Sequence, residues 1–322
     1  MFEKLKTPAF LRAAREGLEG KPRLSLWKML FVFLLLHLIA GMLQSVALTP
    51  VMAVLLLTNE KYLASFSALT ETQDEQLLLD TVESLLSTDA VFVAMLFATV
   101  FLAAVAVFYC RIIEKRSFLS MGFRKKRGAG ASLLGVIFAA LLLLGAVVFA
   151  RAFGALRFQG ATQTDPLWLV LLFFALLVEG VATEIFFRGY LMVSLARGQS
   201  LGASVLIGSF LFAYFHRAGE GASLIALLNF FLFGVLLSLY MIRFGSLFGA
   251  AALHAAWNVG LGLVCGSPVS GVTPPVSLLS FTWAEDAVLL NGGSFGLEGG
   301  IAVTCVLTLG IALLGMVRTK ED

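Results

Sequence analysis

The chain has 322 residues, 59% of them hydrophobic and only 13% charged, with a formal net charge of +3 and a mean hydropathy of +0.95. Soluble globular proteins are about 45–50% apolar and about 25% charged, so this balance excludes that class and points to a polytopic helical membrane protein. The basic residues fall in separate loops, which leaves no face for nucleic acid.

Residues 1–28 read as a basic cytoplasmic segment. The first apolar run, 29–57, is too long for a signal-peptide core and has no suitable small-x-small cleavage site. It reads as a retained span, tilted or kinked at Pro50. Seven further spans come after it at about 90–110, 132–154, 167–187, 201–216, 222–242, 246–266 and 299–317. Each is near the roughly 20 residues that cross the hydrocarbon, and the fifth is short. The fold expected is therefore all-α, a transmembrane helical bundle of about eight spans. Within it, 29–110 holds the first spans and an acidic outer loop, "TETQDEQLLLDTVESLLSTD", that can form an amphipathic helix. Residues 111–131 form a basic cytoplasmic loop, which either sets topology or lies along anionic headgroups. Residues 132–266 form the core, 267–298 an outer loop rich in Gly, Ser and Pro, and 299–322 the last span and a short tail. The segments assigned to the inner side carry 19 Lys and Arg against 4 outside, which places both termini in the cytoplasm. Cys110, Cys265 and Cys305 lack CxxC spacing and read as small buried hydrophobes.

Few strongly polar side chains remain inside the spans: His37, Gln44, Glu179, Thr183, Glu184, Arg188, His216, Asn229, His254 and Asn258. Burying an ionised group in a bilayer costs on the order of 2.5–3.5 kcal/mol on insertion scales, so such residues mark a site by default. Most fall between 179 and 258. Glu184 and Arg188 are i,i+4 and can pair; Glu179 and Thr183, and His254 and Asn258, share the same spacing. Each pair also has a structural reading, as an interfacial ion pair or as interhelical hydrogen bonding. His37 has no polar neighbour at helical spacing and is left structural. One carboxylate, two imidazoles and an amide suit hydrolysis by an activated water with a stabilised oxyanion. Neither a serine–base pair nor HExxH is present. No cofactor is required. A divalent metal such as zinc is compatible with Glu184, His216 and His254 by residue type alone, and their spacing gives it no support.

"TEIFFRGYL", "FAYFH" and "LHAAWN", in that order on consecutive spans, resemble the CAAX protease and bacteriocin-processing (Abi) family of intramembrane proteases. The family signature is a glutamate pair followed after three residues by arginine, then Phe-x-x-x-His, then His-x-x-x-Asn. The resemblance covers roughly residues 105–266. It implies that His216 positions the attacking water, that His254 and Asn258 stabilise the oxyanion, and that Arg188 orients the carboxylates. Glu184 matches the second glutamate. The first, the usual general base, falls on Thr183, which cannot take a proton near neutral pH. Three readings are open: Glu184 takes the role, although it lies about 100° around the helix from Thr183; Glu179 substitutes from one turn away; or the site binds without cutting. His216 also lies about 22 Å along its span from residue 201, so that helix must tilt or start deep to meet the others.

The resemblance thus implies a multi-pass endopeptidase of a prokaryotic plasma membrane acting on membrane-associated peptides or proteins. The alternative is a catalytically impaired relative serving as a membrane scaffold or immunity protein. A transporter is disfavoured, because no inverted repeat is visible.

Overall fold

The computed structural model describes residues 7–16, 25–216 and 221–317. The two chain ends, expected in the cytoplasm, and Arg217 lie outside the described residues. The architecture is an all-α bundle. A short helix α1 (Ala9–Glu16) leads to α2 (Leu26–Thr58), followed by α3 (Glu60–Thr72) and α4 (Glu75–Leu86). Next come α5 (Asp89–Ile113), α6 (Lys125–Ala152), strand β1 (Leu156–Ala161) and α7 (Pro166–Gly198). The remainder is α8 (Leu201–Phe215), α9 (Leu224–Phe244), α10 (Leu247–Val264), strand β2 (Leu279–Trp283) and α11 (Ile301–Met316). Among the described residues α2, α5, α6, α7, α9 and α10 are long and apolar enough to cross a membrane, while α8 and α11 are shorter apolar helices. The acidic segment expected to be amphipathic contains α4, which buries Thr81 and Leu85.

Local chemistry sets the helix ends. Ser25, Asp165, Ser200 and Ser223 cap α2, α7, α8 and α9 by accepting a backbone N–H. Pro166 occupies the first turn of α7, where its missing N–H costs nothing. Gly245 ends α9 at φ 65°, a left-handed conformation that Gly adopts without steric cost. Pro50 lies inside α2, which nevertheless runs on to Thr58.

Helix α10 packs against α6 and α7, and α9 packs against α8 and α11. α5 covers another side of α7, and α2 lies outside it against α5. The outer helices keep apolar surface exposed, including Leu34, Leu38, Ile137 and Leu141, as lipid-facing helices do.

The two ends of the bundle differ. At the basic end, buried Arg116 donates to Ser194 Oγ at 2.9 Å and to the carbonyls of Ser120 and Gly189 at 3.2 Å. Glu114 bridges Arg116 and Arg197. α1 tucks Phe10, Leu11 and Ala14 inward and donates Arg15 to the Ala196 carbonyl at 3.0 Å. Loop 111–131 is therefore tied to the end of α7. At the other end, β1 pairs antiparallel with β2, with Leu156 opposite Trp283 and Phe158 opposite Phe281.

Two departures from the sequence reading matter for the site. The fourth span does not stop at 187: α7 runs unbroken through Arg188 to Gly198. Arg188, counted from the sequence with the inner-side charges, is inside the helix and 1% exposed. The segment read as an outer loop, 267–298, is folded. Leu278 N–H reaches the Leu263 carbonyl at 2.8 Å, Asn291 donates to the Ala155 and Ala284 carbonyls, and Phe295, Leu297 and Glu298 are buried.

Candidate active site

The site forms where α7 meets α10. Gly180 permits the contact: a Cβ there would sit 2.7 Å from the Ala255 backbone, so any larger residue would push the helices apart. The close approach sets His254 and Asn258 against the carboxylates of α7.

Glu184 accepts from Arg188 Nη1 at 2.7 Å and from His254 Nδ1 at 2.9 Å through the same oxygen. Its side chain is fully buried. Arg188 also donates to the Gly234 carbonyl at 3.1 Å and lies over the Phe212 ring at 4.4 Å. This carboxylate is held by two donors and shut away from any approaching group.

Glu179 differs. One oxygen accepts from Thr183 Oγ1 at 2.9 Å, the other from Asn258 Nδ2 at 2.5 Å. His254 Nε2 is 4.0 Å from that second oxygen, and the Glu179 side chain is 13% exposed. One imidazole thus spans two carboxylates, with Nδ1 on Glu184 and Nε2 facing Glu179. Because Glu184 is paired to Arg188 as an acceptor, Nδ1 carries a hydrogen; in the neutral ring that leaves Nε2 as an acceptor. Two acceptors that receive both hydrogens of one water stand roughly 4–4.5 Å apart. The Glu179–His254 gap has that width.

Both site helices widen just past these residues. α7 runs in π-helical turns over Ile185–Met192, and α10 over Val259–Val264. Such insertions recur at functional sites because they rotate the downstream residues out of helical register.

His216 does not join this group directly. It lies just past the end of the short helix α8, its Nδ1 2.7 Å from the Phe212 carbonyl and its ring stacked on Phe212 at 4.0 Å. The same phenyl ring meets His254, with centroids 5.9 Å apart. The two imidazoles are therefore separated by one aromatic ring. Among the described residues no three His, Cys, Asp or Glu side chains group as metal ligands; Glu184 and His254 meet, while His216 stands apart. His37 packs on Phe215 at 4.1 Å, near Phe186.

Sequence reasoning passed over Glu298 and Trp257. Trp257 Nε1 donates to Glu298 Oε1 at 3.0 Å, and the Ser270 N–H donates to Oε2 at 2.8 Å. Burial raises the Glu298 carboxyl above the ordinary carboxylate range, against the pull of its two donors. Asn229, noted only as a polar residue in a span, donates to the Glu298 and Gly300 carbonyls.

Fold and site together define an integral membrane protein with a carboxylate–imidazole–amide centre inside its helical bundle. Residues 165–260 match the family model described as Rce1-like, type II CAAX prenyl endopeptidase Rce1-like. The resemblance drawn from the three motifs is borne out over that segment, which is similar to the CAAX-protease-like membrane endopeptidases. No curated protein matches the chain.

Proposed function

We propose that this chain is an active intramembrane endopeptidase in which Glu179 is the general base in place of the absent motif glutamate. One observation carries the reading: Glu179, not Glu184, is the carboxylate whose side chain is partly exposed while one oxygen faces the His254 Nε2. A water held between Glu179 Oε2 and His254 Nε2 has its lone pair directed at the scissile carbonyl carbon. As the C–O bond forms, Glu179 takes the water proton; as the C–N bond breaks, it delivers that proton to the leaving amine. Asn258 uses one amide hydrogen on Glu179 and has a second for the developing oxyanion. Glu184 and Arg188 hold His254 in the required tautomer. His216, with Nδ1 committed to the Phe212 carbonyl, keeps Nε2 for the substrate. Its substrate is a membrane-associated peptide or protein, and the basic end faces the cytoplasm of a prokaryotic cell.

A second reading, a binding or immunity protein without cleavage, draws support from Thr183 at the usual base position and from the 2.5 Å Asn258 bond that occupies Glu179. Cleavage of membrane-anchored peptides by the purified natural protein, lost in Glu179→Gln, supports the enzyme; binding without cleavage supports the alternative.

A further inference from the structure

We propose that Glu298, outside the segment shared with the family, is a positioning residue of this site, fixing the turn of α10 that carries His254 and Asn258. The proposal rests on the assignment of those residues to the active site.

Trp257 directly precedes Asn258 and follows His254 by three residues. Its indole is 1% exposed, and its N–H ends on the Glu298 carboxylate. The ring also packs on Phe233 at 5.4 Å, and Phe233 meets His254 perpendicularly at 5.2 Å. The orientation of the indole therefore bears on both site residues, through the backbone on one side and through Phe233 on the other.

The other anchor is equally specific. Asn229 of α9 donates to the main-chain carbonyls on both sides of the turn, Glu298 and Gly300, and receives Thr304 Oγ1 at 2.6 Å. Ser270 holds φ 51°, a left-handed backbone uncommon outside Gly, while its N–H meets the second carboxylate oxygen. The segment after α10 is thus bound to α9 by its backbone and to α10 by a buried carboxylate. A carboxylate suits the place chemically. Both N–H groups need acceptors, and a glutamine offers one acceptor and one donor. A buried carboxylate on two neutral donors is a costly way to tie down a loop, since an apolar contact would serve. What it adds is a stiff, directional hold on Trp257.

The test uses the full-length protein in nanodiscs, with Glu298→Gln, Trp257→Phe, the double variant and Asn291→Ala. Asn291 ties the same segment to the Ala155 carbonyl away from Trp257. Kinetics on a cleavable anchored peptide are paired with the 15N spectrum of imidazoles, readable because the chain has three histidines; His254→Gln assigns the His254 signal. Glu298→Gln and Trp257→Phe each lower kcat by about 10- to 100-fold with KM nearly unchanged, as expected for site groups misplaced by up to about 1 Å. Both shift the His254 signal, and the double variant loses no more than the worse single, because the two share one bond. Asn291→Ala lowers the melting temperature and leaves kcat and the His254 signal in place. A Glu298→Gln variant with unchanged kcat and an unmoved His254 signal overturns the proposal, as do additive losses in the double variant. If the natural protein cleaves nothing, the His254 signal still decides: a shift in both variants sustains the positioning while the enzyme reading fails.

Discussion

Glu179→Gln and Glu184→Gln make the same chemical change five residues apart, and the structure gives them opposite consequences. Glu184 is fully buried and paired to Arg188, itself 1% exposed and stacked on Phe212. Neutralising it leaves a buried guanidinium without its counter-charge, a lesion of about 3–5 kcal/mol. Glu179 accepts from the neutral donors Thr183 and Asn258, faces His254 Nε2 at 4.0 Å and is partly open. A glutamine keeps one of those bonds and turns its amide toward the other donor, so the stability cost is about 1–2 kcal/mol. The loss of the base, in contrast, costs on the order of 10²–10⁴ in kcat. Thermal unfolding in detergent and single-turnover cleavage of an anchored peptide measure both quantities on the same samples. Glu179→Gln melts within a few degrees of the natural protein and is nearly dead; Glu184→Gln melts far lower, and its activity follows the folded fraction. The reverse pattern, a stable but inactive Glu184→Gln beside a fully active Glu179→Gln, would refute the assignment.

The same contacts make two further outcomes measurable. Gly180→Ala adds a methyl 2.7 Å from the Ala255 backbone, so it lowers stability by about 1–3 kcal/mol and cuts kcat at least tenfold although no site side chain changes; retention of full rate by this variant would show that the α7–α10 spacing is not critical. Exposed Lys115 and Gln159 lie at opposite ends of the bundle. In intact cells an impermeant thiol reagent modifies Gln159→Cys and spares Lys115→Cys, and the opposite labelling would invert the topology.

The long apolar helices were legible from hydropathy, because a lipid environment demands long uncharged runs and little else competes with that signal; among the described residues six are long enough to cross a membrane and two are shorter. Arg188 misled the boundary of the fourth span: a charge reads as a span end, but here Glu184 and the Gly234 carbonyl satisfy it within the bundle. The clustering of polar residues between 179 and 258 pointed to the side chains that α7 and α10 bring together. It did not choose between Glu179 and Glu184, because that choice depends on the rotation of α7 against α10, which the crossing at Gly180 sets. The outer segment was opaque for a different reason. Its Gly, Ser and Pro content describes local turns, whereas its structure comes from contacts to β1, α9 and Trp257 far away in the chain. Glu298 gave no signal, since a lone glutamate outside a span looks like a solvated loop residue.

The central claim is that the natural chain, with threonine at position 183, cuts peptide bonds using Glu179. The most direct measurement is mass spectrometry of membrane-anchored peptides incubated in 18O-water with the purified natural protein, Glu179→Gln and Thr183→Glu in nanodiscs. The account predicts that the natural protein produces new C-termini carrying one 18O and that Glu179→Gln does not. Cleavage by Thr183→Glu alone, with none by the natural protein, would contradict it and leave a fold that kept the rest of its site without its base.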